Sequence, residues 1–476
     1  MDNPKKNSRR NFIKLAAGAT VAAGSSKTFM IDSAYGQDPA GDAQQPNTAN
    51  VSPNDKIQIA LIGAGGQGMN DTATALRVPG VELVAVADIY DGRLTRSKEL
   101  AGSGQFTKGD LFTTRDYREV LVRPEVDAVI IATPDHWHAK MGIDALAANK
   151  HVYIEKPMVQ DIEEGKGVID AQRKSNRVVQ IGSQRVSSII YRKAKELIAS
   201  GAIGQLNMVE AVYNRNSALG AWQYSIPPDA TPEHIDWDRF LGDAPKRPFE
   251  PIRLFRWRNY RDYGTGVAGD LFVHLFSGIH YVLSSNGPTR VMSTGGLRYW
   301  KDGRDVPDVM FGLYDYPETK THPAFNLTLQ VDFADGSGGQ ETFRFVGSDG
   351  VLTIGGGGVQ VVRGTKEKEP GYTIETFSKD AQKEFLKDYR AKYPERAPEL
   401  NARNTENYAA PGGYRDSFDH FKNFFASIRT GQPMVEDAVF GFRAAGPALL
   451  TNESYFNNRV YEWNPEEMKI IKGRSS

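Results

Sequence analysis

The sextet Gly63-Ala64-Gly65-Gly66-Gln67-Gly68, directly after the apolar run Ile57–Ile62, constrains this chain more than any other stretch. It fits G-x-G-x-x-G, a weak pattern alone but a dinucleotide fingerprint where a strand precedes it and a helix opens from it. Here residues 63–76 turn helical after the glycines. The glycines permit a tight turn and close approach of the backbone to a pyrophosphate, which rests on the helix N-terminus. Asp88 ends the next apolar run, 20 residues after Gly68. An acid there accepts from a ribose 2′-hydroxyl and repels a 2′-phosphate, so the expected cofactor is NAD, with NADP disfavoured. Arg93 nearby softens that preference. A glycine-rich turn without a ligand is the plainer alternative.

The grammar around the sextet supports a parallel sheet. Strands are predicted at Ile57–Ile62, Val81–Ala87, 126–132, His151–Ile154 and 178–181, with helical stretches at 91–100, 114–121 (from a Thr cap), 136–148 and 162–175. Such alternation specifies a doubly wound fold. After residue 182 the pattern changes. A helix (189–200) and a strand (206–213) lead into a Trp-, Pro- and Arg-rich insertion, 214–262. A helix follows at 268–283, then six short strands between 290 and 362. The expected class is α/β: a Rossmann domain, 56–182, plus a C-terminal α+β domain, 183–470, with a large, mainly antiparallel sheet. Residues 365–411 read as a charged surface excursion. An amphipathic helix with Phe418, Phe421 and Phe425 on one side is predicted at 414–429. Another, at 439–456, is interrupted near Gly446-Pro447. These C-terminal helices are expected to pack back on the Rossmann domain.

The N-terminus carries a separate signal. Ser8-Arg9-Arg10-Asn11-Phe12-Ile13-Lys14 precedes a mild Ala- and Gly-rich apolar run and resembles a bacterial twin-arginine leader, 1–36, with cleavage after Gly36. A basic disordered tail is the alternative. Residues 37–55 are polar and aperiodic, a linker. There is no Cys, so neither a disulfide framework nor a lipid-anchored cysteine is available. The net charge is zero and no basic stripe stands out, which argues against a nucleic-acid partner. No apolar run approaches the roughly 20 residues that cross a bilayer, so no membrane anchor is expected.

Three groups of residues could carry chemistry. Glu155-Lys156-Pro157 ends the strand His151–Ile154. A lysine placed there is either part of a surface loop or a desolvated acid or base. Thr133-Pro134 stands at the carboxyl edge of the third strand, where ligands bind in such sheets. In Asp135-His136-Trp137-His138 the two histidines suit helix-start and cofactor-neighbour roles better than metal ligation, since no acid or Cys cluster completes a first shell. Asp270 and His274 are four residues apart on one predicted helix, which puts them on one face as a carboxylate orienting an imidazole. A helix-start acid and a packed histidine are the plainer reading of these two residues alone. Trp257 and Arg258 interleave aromatic and cationic groups, as a sugar-binding surface would or as simple packing would.

Taken together, GAGGQG, Ala87-Asp88, ATPDHWHA at 132–139 and EKP at 155–157 resemble the glucose–fructose oxidoreductase / inositol dehydrogenase / rhizopine-catabolism (Gfo/Idh/MocA) family. The resemblance implies that Lys156 approaches both nicotinamide and substrate, that Glu155 lies on the cofactor side, and that Lys156–Pro157 is a candidate cis bond. It implies a catalytic set of Lys156, His274 and Asp270. In it, His274 takes the hydroxyl proton, Lys156 polarises the same oxygen, and Asp270 holds substrate and His274. The family's further Asp is replaced by Ser277, which puts substrate hydroxyl contacts in doubt. Gly63, Gly65, Gly66, Gln67, Gly68, Asp88, Thr133, Pro134, His138, Glu155, Lys156 and Gln184 form the expected cofactor set. Arg185, Trp257 and Arg258 form the expected substrate set, with no metal. His280 takes no role.

The expectation is an exported, periplasmic NAD-dependent oxidoreductase acting on a sugar, polyol or glycoside hydroxyl, with a homodimer or homotetramer as its assembly. A twin-arginine substrate folds before export, so the dinucleotide would be loaded early and recycled in place. The alternatives are a redox-neutral, NAD-dependent glycoside-cleaving enzyme and a non-catalytic sugar-binding relative.

Overall fold

The computed structural model describes residues 26–30, 52, 56–106, 110–364, 371–394 and 404–471. The twin-arginine motif, the Gly36 cleavage site and nearly all of the linker lie outside them.

A six-stranded parallel sheet runs in the order Phe112–Thr114, Val81–Ala87, Ile57–Ile62, Ala128–Ile131, His151–Ile154, Val179–Ile181. Its central strands are apolar on both faces because both are covered; Ile59, Leu61, Val129 and Ile130 are fully buried. The order reverses between Ile57–Ile62 and Ala128–Ile131, and the glycine sextet leaves the sheet at that switch point. Residues 114–121 are not one helix. Phe112–Thr114 is an edge strand, and the helix Tyr117–Leu121 is capped by Asp116, which accepts from the Arg118 amide.

The second sheet has eleven strands, ordered Ser26–Met30, Asn404–Ala409, Gly358–Arg363, Gly350–Gly355, Gln340–Gly347, Leu206–Asn214, Phe325–Asp332, Val309–Tyr316, Arg290–Gly296, Tyr461–Asn464, Lys469–Ile471. It is mixed and mostly antiparallel; the parallel pairs are Leu206–Asn214 with Phe325–Asp332 and Ser26–Met30 with Asn404–Ala409. Period-two alternation sends Phe325, Leu327, Leu329 and Val331 into the core. On that face lie the helices Ile189–Ala199, Val273–Leu283 and Ala438–Asn457. Phe311 and Leu313 point from the other face and stay exposed. The edge strand Ser26–Met30 belongs to the stretch read as a leader, so cleavage after Gly36 would remove it.

The C-terminal helices join the two halves. Asp416–Thr430 buries Phe421, Phe424 and Phe425 against the outer face of the parallel sheet, where Phe421 stacks on Tyr153 at 4.6 Å. Ala438–Asn457 runs unbroken through Pro447. Burial along most of its length holds it together where the missing amide alone would interrupt it. The 365–411 excursion contains the helix Lys379–Lys392, which buries no residue.

Candidate active site and dinucleotide cleft

A cleft of about 540 Å³ opens at the switch point, within the range typical of cofactor sites. Its floor is Gly63, Gly65, Gly66, Gln67, Asp88, Thr133 and Pro134. Gly63 adopts φ +94°, and a Cβ there would meet the Ala132 carbonyl oxygen at 2.7 Å. Gly68 does not touch the cleft. A Cβ at Gly68 would meet the Gly63 oxygen at 2.1 Å, so this glycine lets the helix Gly66–Ala75 pack against its own loop. That helix begins without a side-chain cap, leaving first-turn amides free for an anion. Asp88 accepts from the Ala64 amide at 2.7 Å and the Tyr90 amide at 3.0 Å, while Arg93 approaches it at 3.4 Å. The Thr133 hydroxyl is buried at the cleft without a hydrogen-bond partner among the described residues. A free helix start, an orphaned hydroxyl and a buried carboxylate at the far end fit a dinucleotide.

The roof is the insertion. Tyr224, Arg239, Phe240, Leu254, Phe255 and Trp257 line the cleft from above. They hang from an apolar cluster that includes Tyr90, Ile235, Phe240, Leu241, Leu254 and Tyr263, pinning the insertion to the Rossmann domain. Sequence reasoning missed this roof apart from Trp257 and Arg258; the density of aromatic residues was the available signal.

Lys156, Asp270 and Arg258 meet at the edge of the cleft. Lys156 Nζ donates to the Asp270 backbone oxygen and to Oδ1, both at 2.9 Å. Arg258 Nε donates to the same Oδ1 at 3.0 Å. Burial alone would push the Asp270 carboxyl up, but the fields of Lys156, Arg258 and Arg215 hold it well below the usual carboxylate range. The Lys156–Pro157 bond is cis.

Asp270 does not orient His274. The residues Ala268–Phe272 form a π-helical turn before the α-helix Val273–Leu283. Its wider i→i+5 turn leaves the fourth residue on short of alignment, and Asp270 is spent on two cations. The His274 ring lies 6.2 Å from the Tyr213 ring, with Nδ1 buried and without a hydrogen-bond partner among the described residues. Burial, then the positive fields of Arg185 and Lys156, push its pKa well below the ordinary value, so the imidazole is neutral.

Glu155 faces inward. Its carboxyl lies in the field of Asp71, accepts from Tyr153 at 3.3 Å, and is pushed up by burial. Gln184 Nε2 lies 3.2 Å from the Tyr153 hydroxyl. Gln67 of the dinucleotide loop donates to Asp71 at 2.9 Å. Arg185 ion-pairs with Glu341 and stands 5.6 Å over the Tyr213 ring. His138 is not a cofactor contact. It is fully buried behind the wall, with Nδ1 2.7 Å from the Pro157 carbonyl and Nε2 2.9 Å from that of Thr133. His136 likewise sits on the carbonyls of Phe240 and Tyr263. Among the described residues no group of three His, Cys, Asp or Glu is gathered as a metal site.

Sequence reasoning also missed Asp135. Its Oδ2 accepts from the Thr265 amide and hydroxyl at 3.0 and 2.7 Å. Burial, with the Asp270 charge, raises its pKa to about 7.

Comparison with known proteins agrees with this architecture. Residues 57–183 match the family described as "Oxidoreductase family, NAD-binding Rossmann fold", and residues 191–353 match the "GFO/IDH/MocA C-terminal domain". This chain belongs to the Gfo/Idh/MocA oxidoreductase family. Its first domain is therefore an NAD-binding Rossmann domain. A "Glycosyl hydrolase family 109 protein" of Shewanella baltica (strain OS185) is 28% identical over 212 residues, 43% of this chain and 45% of that one. An "Alpha-N-acetylgalactosaminidase" of Shewanella oneidensis is 26% identical over the same length and shares. The match thus spans about half the length of these relatives. The solved "Levoglucosan dehydrogenase, complex with NADH and levoglucosan" has the same fold, with a TM-score of 0.60 at 18% identity over 86% of this chain and 99% of that one.

Proposed function

We propose that this Gfo/Idh/MocA protein is an exported oxidoreductase that removes hydride from a sugar, polyol or glycoside hydroxyl while keeping its dinucleotide bound. One observation carries the reading: Asp270 is shared by Lys156 and by Arg258 of the cleft wall, which sets the lysine beside the dinucleotide site. Neutral His274 takes the hydroxyl proton. Lys156 steadies the oxygen as negative charge develops on it, and Asp270 fixes the lysine's direction. A dinucleotide held by Gly63, Gly65, Gly66 and Asp88 would supply the hydride acceptor.

Export is supported by the Ser8–Lys14 pattern, and the roof over the cleft suits a cofactor that does not exchange. A homodimer or homotetramer would cover the open sheet face that carries Phe311 and Leu313. The names of the Shewanella relatives favour a second reading, in which oxidation is transient and serves cleavage of a glycoside. To test the first reading, the protein is purified without added NAD, denatured, and the released dinucleotide quantified. Near-stoichiometric NAD and sugar-dependent change in nicotinamide absorbance are expected; a cofactor-free protein that needs free NAD would end the bound-cofactor idea. Release of a free aglycone with no net NADH would select the second reading.

A further inference from the structure

The groups around His274 carry an excess of positive charge. Arg215 and Arg185 flank the Tyr213 ring, their guanidinium carbons 5.1 and 5.6 Å from its centroid, and that ring neighbours His274 at 6.2 Å. Lys156 and Arg258 stand together on Asp270. Two carboxylates, Asp270 and Glu341, thus pair with three cations, Lys156, Arg258 and Arg185, while Arg215 stands beside them. Burial raises the pKa of three further acids, Asp135, Glu155 and Asp416, and the Asp335 carboxylate is taken up by Asn214 and Ser337.

Arg215 is the cation left over. It is half-buried, donates to the Gly220 carbonyl at 2.9 Å, and lies 5.6 Å from the Phe333 ring. Among the described residues it has no carboxylate partner. A guanidinium held rigidly by two rings, with donors left over, is built to take a carboxylate in charge-assisted, bidentate fashion. A neutral hexose would leave that charge half-desolvated and uncompensated.

We infer that the substrate is an acidic sugar, a uronate or uronoside, whose carboxylate pairs with Arg215 while its reacting hydroxyl faces Lys156 and His274. This rests on the hydride-transfer reading above and names its substrate class. The test titrates the dinucleotide-loaded protein calorimetrically with D-glucuronate and D-galacturonate against D-glucose and D-galactose. The acids are expected to bind at least about tenfold more tightly, in line with a charge-assisted pair. Arg215→Gln should abolish that advantage and Arg215→Lys keep part of it. A merely structural Arg215 would weaken acid and neutral sugars alike. Equal binding of acid and neutral sugars, no binding of either acid, or an acid preference that survives Arg215→Gln would overturn the inference. Nicotinamide absorbance separates the two claims. Tight uronate binding without reduction keeps this inference and removes the hydride-transfer reading, whereas oxidation of equally well-bound neutral sugars does the reverse.

Discussion

Two residues show how much a side chain's partners decide. Lys156 was legible as an oddly placed lysine, but its partner lies 114 residues away. Lys156→Met should leave the dinucleotide content unchanged, since Arg258 still compensates Asp270, and slow hydride transfer by about 10²-fold or more. Rapid-mixing absorbance checks this; unchanged turnover would remove Lys156 from the mechanism. His138 was misassigned because its motif position suggests a ligand contact. Its burial instead depresses its pKa to about 4. The folded protein therefore resists a proton that the unfolded chain accepts near pH 6.5. Its contribution is complete above that value and is lost as pH falls toward 4, on the order of 3 kcal/mol. Thermal denaturation should show wild type ahead of His138→Gln at pH 7 and the gap narrowing by pH 4. A gap independent of pH would show that the ring is not kept neutral.

At the level of elements, strands and the glycine turn were readable because their constraints are local. The π turn Ala268–Phe272 was not. Nothing in its composition distinguishes it from an α-helix, and Asp270 is drawn to cations from two other segments. Gly269 lies inside the turn, where a Cβ would meet the Thr265 Cβ at 2.1 Å, and Thr265 is itself anchored to Asp135. Gly269→Ala should cost about 1–3 kcal/mol and displace Asp270 from Lys156. Urea unfolding and turnover report the two effects, and a fully stable, fully active variant would show that the turn tolerates reshaping. The helix Lys379–Lys392 escaped notice for another reason: it has no buried stripe, and rests on the Ser378 cap and on good helix formers.

For the whole molecule, the insertion is the element that turns a Rossmann domain into a covered site. It packs on the first domain, roofs the cleft and delivers Arg258 to Asp270. Export also belongs to this scale. If the leader is functional, the secreted protein begins at Gln37 and lacks the edge strand Ser26–Met30, and Arg9→Lys with Arg10→Lys retains it in the cytoplasm. N-terminal mass spectrometry of the periplasmic fraction decides it; export that persists in the double variant would sink the twin-arginine assignment.

The sequence by itself determined the dinucleotide half, because glycine sterics, strand periodicity and the spacing from Gly68 to Asp88 act within a few turns of chain. It also marked Lys156, Asp270 and His274. Only the tertiary structure decided what surrounds each of them. Ion pairing and desolvation depend on which distant segments are packed alongside. Packing therefore gave Asp270 to Lys156 and Arg258, left His274 neutral without a carboxylate, and buried His138 behind the cofactor wall.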